Sequence, residues 1–234
     1  MLHQTKAIVL KTTKYSDNSL IVKMYTESFG LQTYIIGGVH SKKAKIKSAL
    51  FMPLTLLDVV ANSSTKSSLI RPKEISVSQS LQHIQGDIQK ATIAIFLNEI
   101  ILKSIKEEEA NLELFAFVYN SILLLEKTEN STTFHIEFLL KLTQFLGFFP
   151  QGKYSEVTPF FNLKEGMFGS QIGVDSLDKN TSKLLFETLN GLSLTSTSKE
   201  SRRLLLDKII QFYTLHIPGF GKLKSLDVLK EINA

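Results

Sequence analysis

The feature that most constrains this chain is a change in hydrophobic period close to Pro72. Before it, apolar residues recur every second position in short runs broken by turn formers, which is the pattern of half-buried strands. Five runs are predicted: residues 6–12, 19–27, 31–38, 53–61 and 67–71. Ser16-Asp17-Asn18 separates the first pair and Ser28-Phe29-Gly30 the second, with a polar turn at 62–66. In the second run Leu20, Val22 and Met24 fall on one face, and Ile21, Lys23 and Tyr25 on the other. Five strands in so short a stretch predict a small antiparallel barrel. An OB-fold and an SH3-like barrel both satisfy that count, and periodicity alone does not choose between them.

From about Ser80 the spacing becomes helical. Ile93, Phe96, Leu97, Ile100 and Ile101 follow the i, i+3, i+4, i+7 rule, as do Leu112, Phe115, Ala116, Tyr119, Ile122 and Leu123. Asn130-Ser131-Thr132 is the predicted N-cap of a third helix, which Gly147 and Pro150 end. Residues 147–178 break the pattern as a Phe- and Gly-rich insert, with two short strands expected at 160–163 and 167–170 around Lys164-Glu165-Gly166. Helices resume over 180–190 and 199–217, and Pro218-Gly219 terminates the second. The expected fold class is therefore α+β, a five-stranded barrel followed by an all-α region. The division falls at 1–79 and 80–234, with the irregular insert at about 147–178.

Charge is divided as unevenly as structure. Residues 1–80 carry 11 Lys/Arg against 4 Asp/Glu, net +7, and the remainder carries 16 against 18, net −2. A basic segment of this kind points to nucleic acid or an anionic membrane, or is a solvated surface on which lysines cluster. The chain has no cysteine, so disulfides and thiolate metal sites are excluded. Met1 to Lys6 begins no signal peptide, and the most apolar long stretch, 92–105, is interrupted by Asn98, Glu99 and Lys103 and too short to span a bilayer. A cytoplasmic protein with no membrane partner is expected.

Catalytic chemistry finds little support. The histidines (His3, His40, His83, His135 and His216) are scattered and form no HxH or HExxH pair. The run Gly219 to Ser225 lacks the first glycine and the Gly-Lys-Ser/Thr order of a phosphate loop, and reads as a turn. No catalytic residue, no metal and no cofactor is expected.

The stronger signal is His40-Ser41-Lys42-Lys43-Ala44-Lys45-Ile46-Lys47-Ser48, between the third and fourth predicted strands. Lysine is a mobile point charge suited to phosphate without base readout. If Lys42, Lys43, Lys45 and Lys47 all met phosphates, log affinity would fall with log salt at a slope of about −3 to −4. Tyr25, Tyr34 and Phe51 lie on or near the strands, and Tyr34 is the one expected to stack on a base. Arg202-Arg203 opens a helix, where the dipole does not favour cations, so a partner carboxylate or phosphate is a candidate to meet them.

The order of several motifs resembles the RecO family of recombination mediators. Lys6-Ala7-Ile8-Val9-Leu10 precedes Tyr15-Ser16-Asp17-Asn18-Ser19-Leu20, then Tyr25-Thr26-Glu27-Ser28-Phe29-Gly30-Leu31, Gly37-Gly38 and the basic stretch. Leu50-Phe51-Met52-Pro53-Leu54 follows, and near the end come Tyr213-Thr214-Leu215-His216 and Leu223-Lys224-Ser225-Leu226. The resemblance implies an N-terminal OB-fold and a C-terminal helical domain. It implies binding to single- and double-stranded DNA, annealing of complementary strands, and loading of RecA in the RecF pathway. The implied partners are RecR and the acidic tail of single-strand binding protein (SSB), with Arg202, Arg203 and Lys224 as candidates to meet that tail. Many members of the family carry four cysteines in the central insert and bind zinc. Here Leu163 to Phe168 resembles the sequence before the second pair, and Gly169-Ser170 stands where a thiol would fall. Zinc is not expected, and the phenylalanines are expected to anchor the insert instead.

Two other readings remain: an adaptor that binds the SSB tail and RecR with incidental DNA contact, and a small-molecule or nucleotide enzyme with an unrecognised site, which only the weak Gly219–Ser225 run supports.

Overall fold

The computed structural model describes residues 2–39, 48–62, 69–106 and 109–232. It forms two compact units, residues 1–128 and 129–234.

The first unit is built on an antiparallel sheet of five strands, β1 (Leu2–Ser16), β2 (Ser19–Thr26), β3 (Gly30–Gly37), β4 (Leu56–Asn62) and β5 (Pro72–Gln79), in the order β3-β2-β1-β4-β5. A parallel bridge between Tyr34 and Ile70 brings the residues leading into β5 alongside β3. Ile35 N–H donates to the Ile70 carbonyl (2.9 Å), and Ile70 N–H to that of Thr33 (3.0 Å). The two ends of the sheet thus meet, giving the partly open five-stranded barrel of an OB-fold. Alternate residues line its interior: Ala7 and Val9, Leu20, Val22 and Met24, Tyr34 and Ile36, Leu57 and Val59. Three helices follow in the same unit: the short α1 (Gln82–Gly86) and the longer α2 (Ile88–Ser104) and α3 (Leu112–Lys127). Asp87 caps α2 by accepting from the Gln89 and Lys90 amides, and Asn111 caps α3 through Leu114 N–H.

The sequence misplaces the fifth strand. It lies at Pro72–Gln79, not 67–71, and begins at the proline read as its end. β5 is an edge strand in the sheet order, so a proline at its first position forfeits no essential ladder bond. Its run Lys73-Glu74-Ile75-Ser76-Val77-Ser78-Gln79 is too polar to show a strand alternation, because most of it faces solvent. β1 is also longer than residues 6–12. A bulge between Val9 and Lys11 carries it into an exposed hairpin arm ending at Ser16.

The second unit holds α4 (Phe134–Phe145), the hairpin β6 (Phe160–Asn162) and β7 (Met167–Gly169), α5 (Lys179–Leu189), α6 (Lys199–His216) and α7 (Leu226–Ile232). Thr133, not the Asn130-Ser131-Thr132 turn, precedes α4, and no side chain caps that end. Asn130 instead accepts from Thr132 N–H (3.1 Å), an Asx turn one step too early. Gly166, at φ 67°, closes the β6–β7 turn.

The insert is fastened by aromatic packing. Phe161, fully buried, meets Phe168 at 5.0 Å between ring centres and Phe212 of α6 at 5.6 Å; Phe168 meets Phe186 of α5 at 5.8 Å. Phe148 stacks flat on His216 at 5.2 Å, and His216 Nε2–H donates to the Leu163 carbonyl (2.9 Å). Among the described residues no three His, Asp or Glu side chains group as a metal set, and no thiol exists, so the side chains present do not fit the zinc of cysteine-bearing inserts.

Candidate nucleic-acid interface

Cross-strand register assembles a surface that no single run of sequence displays. Inward pairs alternate with outward ones: Val9↔Met24 and Thr12↔Val22 carry the core residues Val9, Met24 and Val22, so Lys11↔Lys23 and Thr13↔Ile21 lie on the outer face. On β3, Lys23 pairs with Thr33 and Ile21 with Ile35. Beyond β3, the bridge at Tyr34 and Ile70 sets Arg71 beside Ile35. The outer face therefore presents two rows, Lys11–Lys23–Thr33 and Thr13–Ile21–Ile35–Arg71.

The next row, Ile8–Tyr25–Leu31, is closed. Tyr25 packs on Phe115 of α3 at 5.7 Å between ring centres and its hydroxyl donates to the Asn111 carbonyl (3.4 Å). α3 thus covers one end of the face and leaves the two rows above it open. Lys11 and Arg71 are exposed, and Lys23, Ile21, Thr33 and Ile35 are half-buried. Beyond Thr13, the exposed arm carries Lys14, ion-paired with Asp17 at 3.0 Å, and Tyr15, whose side chain is 60% exposed. Among the described residues no carboxylate forms a salt bridge with Lys11, Lys23 or Arg71. The β2–β3 face is where OB-folds take oligonucleotides and oligosaccharides.

The expected site residues fare differently. Lys42, Lys43, Lys45 and Lys47 lie outside the described residues. Tyr34 requires a correction: it is on β3, but its side chain is 1% exposed and belongs to the barrel core, out of a base's reach. Burial pushes its phenol up to about 12. β3 alternates in register with β2, and Tyr34 pairs with Val22, an inward residue, so its parity decides its fate. Phe51 is likewise buried, at 2% exposure.

Arg202 and Arg203 do converge, in a shallow cleft shared with Thr132, His135, Lys199, Leu206, Leu229 and Lys230. Each guanidinium also donates to a carbonyl of its own unit, Arg202 to Thr197 (2.7 Å) and Arg203 to Lys230 (2.5 Å). Buried His135 is held near 4, first by desolvation and then by the charge of Arg202, so it is neutral at pH 7. Lys224 is exposed and does not line this cleft.

Lys11, Lys23, Arg71 and Tyr15 were not singled out from sequence as site residues. The signal was available in part. Lys23 alternates with the core positions Val22 and Met24, and Lys11 follows directly on the apolar run that ends at Leu10. That the two lysines are partners depends on the bulge at Leu10, which the sequence does not announce.

An OB-fold barrel with an open cationic face, joined to a second unit of helices and a small hairpin, defines the structural class. The N-terminal model for recombination protein O matches residues 1–81, and the C-terminal model matches residues 85–227. The chain is 38% identical to the DNA repair protein RecO of Flavobacterium psychrophilum and 39% identical to that of Flavobacterium johnsoniae, each over 98% of both chains. It is 37% identical to the Bacteroides fragilis protein of the same name over 99% of both. The chain belongs to the RecO family.

Proposed function

We propose that this protein acts in DNA repair as a binding protein that performs no chemistry of its own. The observation that carries this reading is the open barrel face, where Lys11, Lys23 and Arg71 are unmatched by carboxylates among the described residues. Such a surface gains most from phosphates, whose condensed counterions are released on contact. The relatives' shared name, DNA repair protein RecO, supports the same direction.

In the finer reading, residues 1–79 bind single- and double-stranded DNA, and residues 80–234 recruit partners. Lys42, Lys43, Lys45 and Lys47 extend the cationic face, neutralise the phosphates of two strands, and lower their mutual repulsion while complementary strands anneal. RecR and the acidic tail of SSB are the protein partners, and the complex helps load RecA onto SSB-coated strands at the bacterial nucleoid, in the cytoplasm. Arg202 and Arg203, with Lys224, are the candidates to meet the tail's carboxylates. No helix among the described residues is long and apolar enough to cross a membrane. Replacing Lys42, Lys43, Lys45 and Lys47 by Ala tests the extension. The expected result is a salt slope shallower by about 3 and weaker binding to every DNA sequence. Unchanged affinity and slope would remove that segment from the interface.

The second reading, an adaptor with incidental DNA contact, draws on the cationic cleft around Arg202 and Arg203. Titrating the full chain with an SSB-tail peptide and, separately, with DNA distinguishes the two: the adaptor binds the peptide and leaves DNA free.

A further inference from the structure

We propose that the first unit carries a binding site for a small, uncharged, mostly apolar molecule, in a recess between the turn that leads into β4 and the helices α1 and α2. The site is separate from the outer face of the barrel and does not depend on the DNA-binding reading above.

The recess has a volume of about 330 Å³. Small-molecule sites span about 300–1,000 Å³, and this one falls within that range. Its walls come from three directions: the turn from Met52 to Thr55, Ile84 and Gln85 of α1, and Ala91, Ala94 and Ile95 of α2. Protein interiors rarely leave voids larger than a water molecule, because side chains pack to close them. Here the walls are pinned from behind. Leu54 N–H donates to the Val9 carbonyl (2.7 Å) and Val9 N–H to that of Thr55 (3.0 Å), which ties the turn to β1. Asn98 Nδ2 donates to the Leu10 carbonyl (3.0 Å) and ties α2 to the same strand. The Glu126 carboxylate of α3 accepts from the His83 and Ile84 amides, both at 2.8 Å, and its carbonyl accepts from Lys90 Nζ at 2.9 Å. α1 and α2 are thereby fastened to α3. Leu54 is held at φ 62°, the only positive φ outside glycine among the described residues. Such strain persists only where the surroundings fix it, and it gathers at ligand sites. The recess is therefore preformed rather than a gap that the walls can close.

The lining specifies the ligand. Among the described residues that line the recess none is ionisable. An ion placed there would give up water without gaining a counter-charge. The polar side chains are Thr55 and Gln85, enough to orient one hydroxyl, carbonyl or N–H group. The apolar lining that stays exposed is Met52, Pro53 and Ile95. That is too little to seat a protein partner, which covers roughly 800 Å² on each side. A compact ring system or a short alkyl chain with one neutral polar end suits both the volume and the lining.

The test is a fluorescence titration of the full chain with N-phenyl-1-naphthylamine, an uncharged probe that brightens in apolar surroundings. Saturable binding is expected. 1-Decanol should displace the probe, and decanoate, the same chain ending in a carboxylate, should do so about tenfold less well. Saturating 1-decanol should also raise the melting temperature. Ala94→Leu fills the recess and should weaken probe binding about tenfold or more without lowering the melting temperature. Should the added bulk unfold the chain, Ala91→Lys gives an independent readout. Ala91 is half-buried, and a lysine there sets a cation at the recess, which should shift the preference towards decanoate. Absence of saturable binding, probe affinity unchanged in Ala94→Leu, an unshifted preference in Ala91→Lys, or decanoate competing as well as 1-decanol would overturn the proposal. A concentration-dependent dimer that Ala91→Lys abolishes would also overturn it, since a second copy of the chain would then cover the recess. None of these outcomes bears on DNA binding, so this proposal and the broader reading fail separately.

Discussion

The barrel and the insert use aromatic residues in opposite senses. On the barrel, Tyr15 stands 60% exposed on the hairpin arm, next to Lys14, which pairs with Asp17. In the insert, Phe161 and Phe168 turn inward and meet Phe212 and Phe186 of the flanking helices. A fully buried ring contributes through the area it removes from water and the contacts it makes, so its loss is felt as instability. An exposed ring contributes almost nothing to folding, and its loss is felt only by whatever it touches. The difference teaches that aromatic content does not by itself mark a binding face, because burial decides what a ring can touch.

Three experiments break or sharpen this contrast. The largest effect is expected from Phe161→Ala, which empties the centre of the insert's anchor. Chemical denaturation should show a loss of about 3–5 kcal/mol, with affinity for DNA unchanged in the protein that remains folded. A cost below about 1 kcal/mol would mean that the phenylalanines do not hold the insert. Zinc bound stoichiometrically to the purified protein would mean that a metal does.

The next effect concerns His135 in the second unit. Its folded value of about 4 lies below the ordinary histidine value of 6.5, because burial and the Arg202 charge disfavour the imidazolium. The unfolded chain therefore takes up a proton before the folded one does. Stability is present in full above about 6.5 and is lost as pH falls from there towards 4, by roughly 2–3 kcal/mol. Denaturation curves from pH 7 to pH 4 should show this loss, and His135→Gln should flatten it. An equally steep curve in the variant would assign the dependence to other groups.

The smallest effect belongs to the barrel arm. Lys14 and Asp17 are exposed, so solvent screens their 3.0 Å ion pair and it should contribute almost nothing to stability. Asp17→Ala should leave the melting temperature unchanged and slightly strengthen DNA binding at low salt, since it removes a negative charge next to Tyr15. Weaker binding in this variant would show that the arm's shape, rather than its charge, governs the interface.

Much of the architecture was legible in residue order. The alternation in Leu20, Val22 and Met24 places the barrel interior correctly, the β6–β7 hairpin falls around Lys164-Glu165-Gly166 as expected, and α5 and α6 begin and end within a residue of their predicted positions. β5 escaped because an edge strand facing solvent carries too few apolar residues to alternate. The site was legible only in part. Composition locates the excess of positive charge in residues 1–80, but register decides which lysines are neighbours, and register here turns on a one-residue bulge at Leu10. Tyr34 illustrates the same limit. A tyrosine on a strand reads identically from either face, and only its pairing with Val22 shows that it points inward.

The most direct measurement is the affinity of the full chain for a single-stranded oligonucleotide between low and high salt. A barrel face acting with the 40–47 lysines on phosphates predicts log affinity falling linearly with log salt, with a slope of about −3 or steeper. Binding that is absent at low salt, or insensitive to salt throughout, would contradict it.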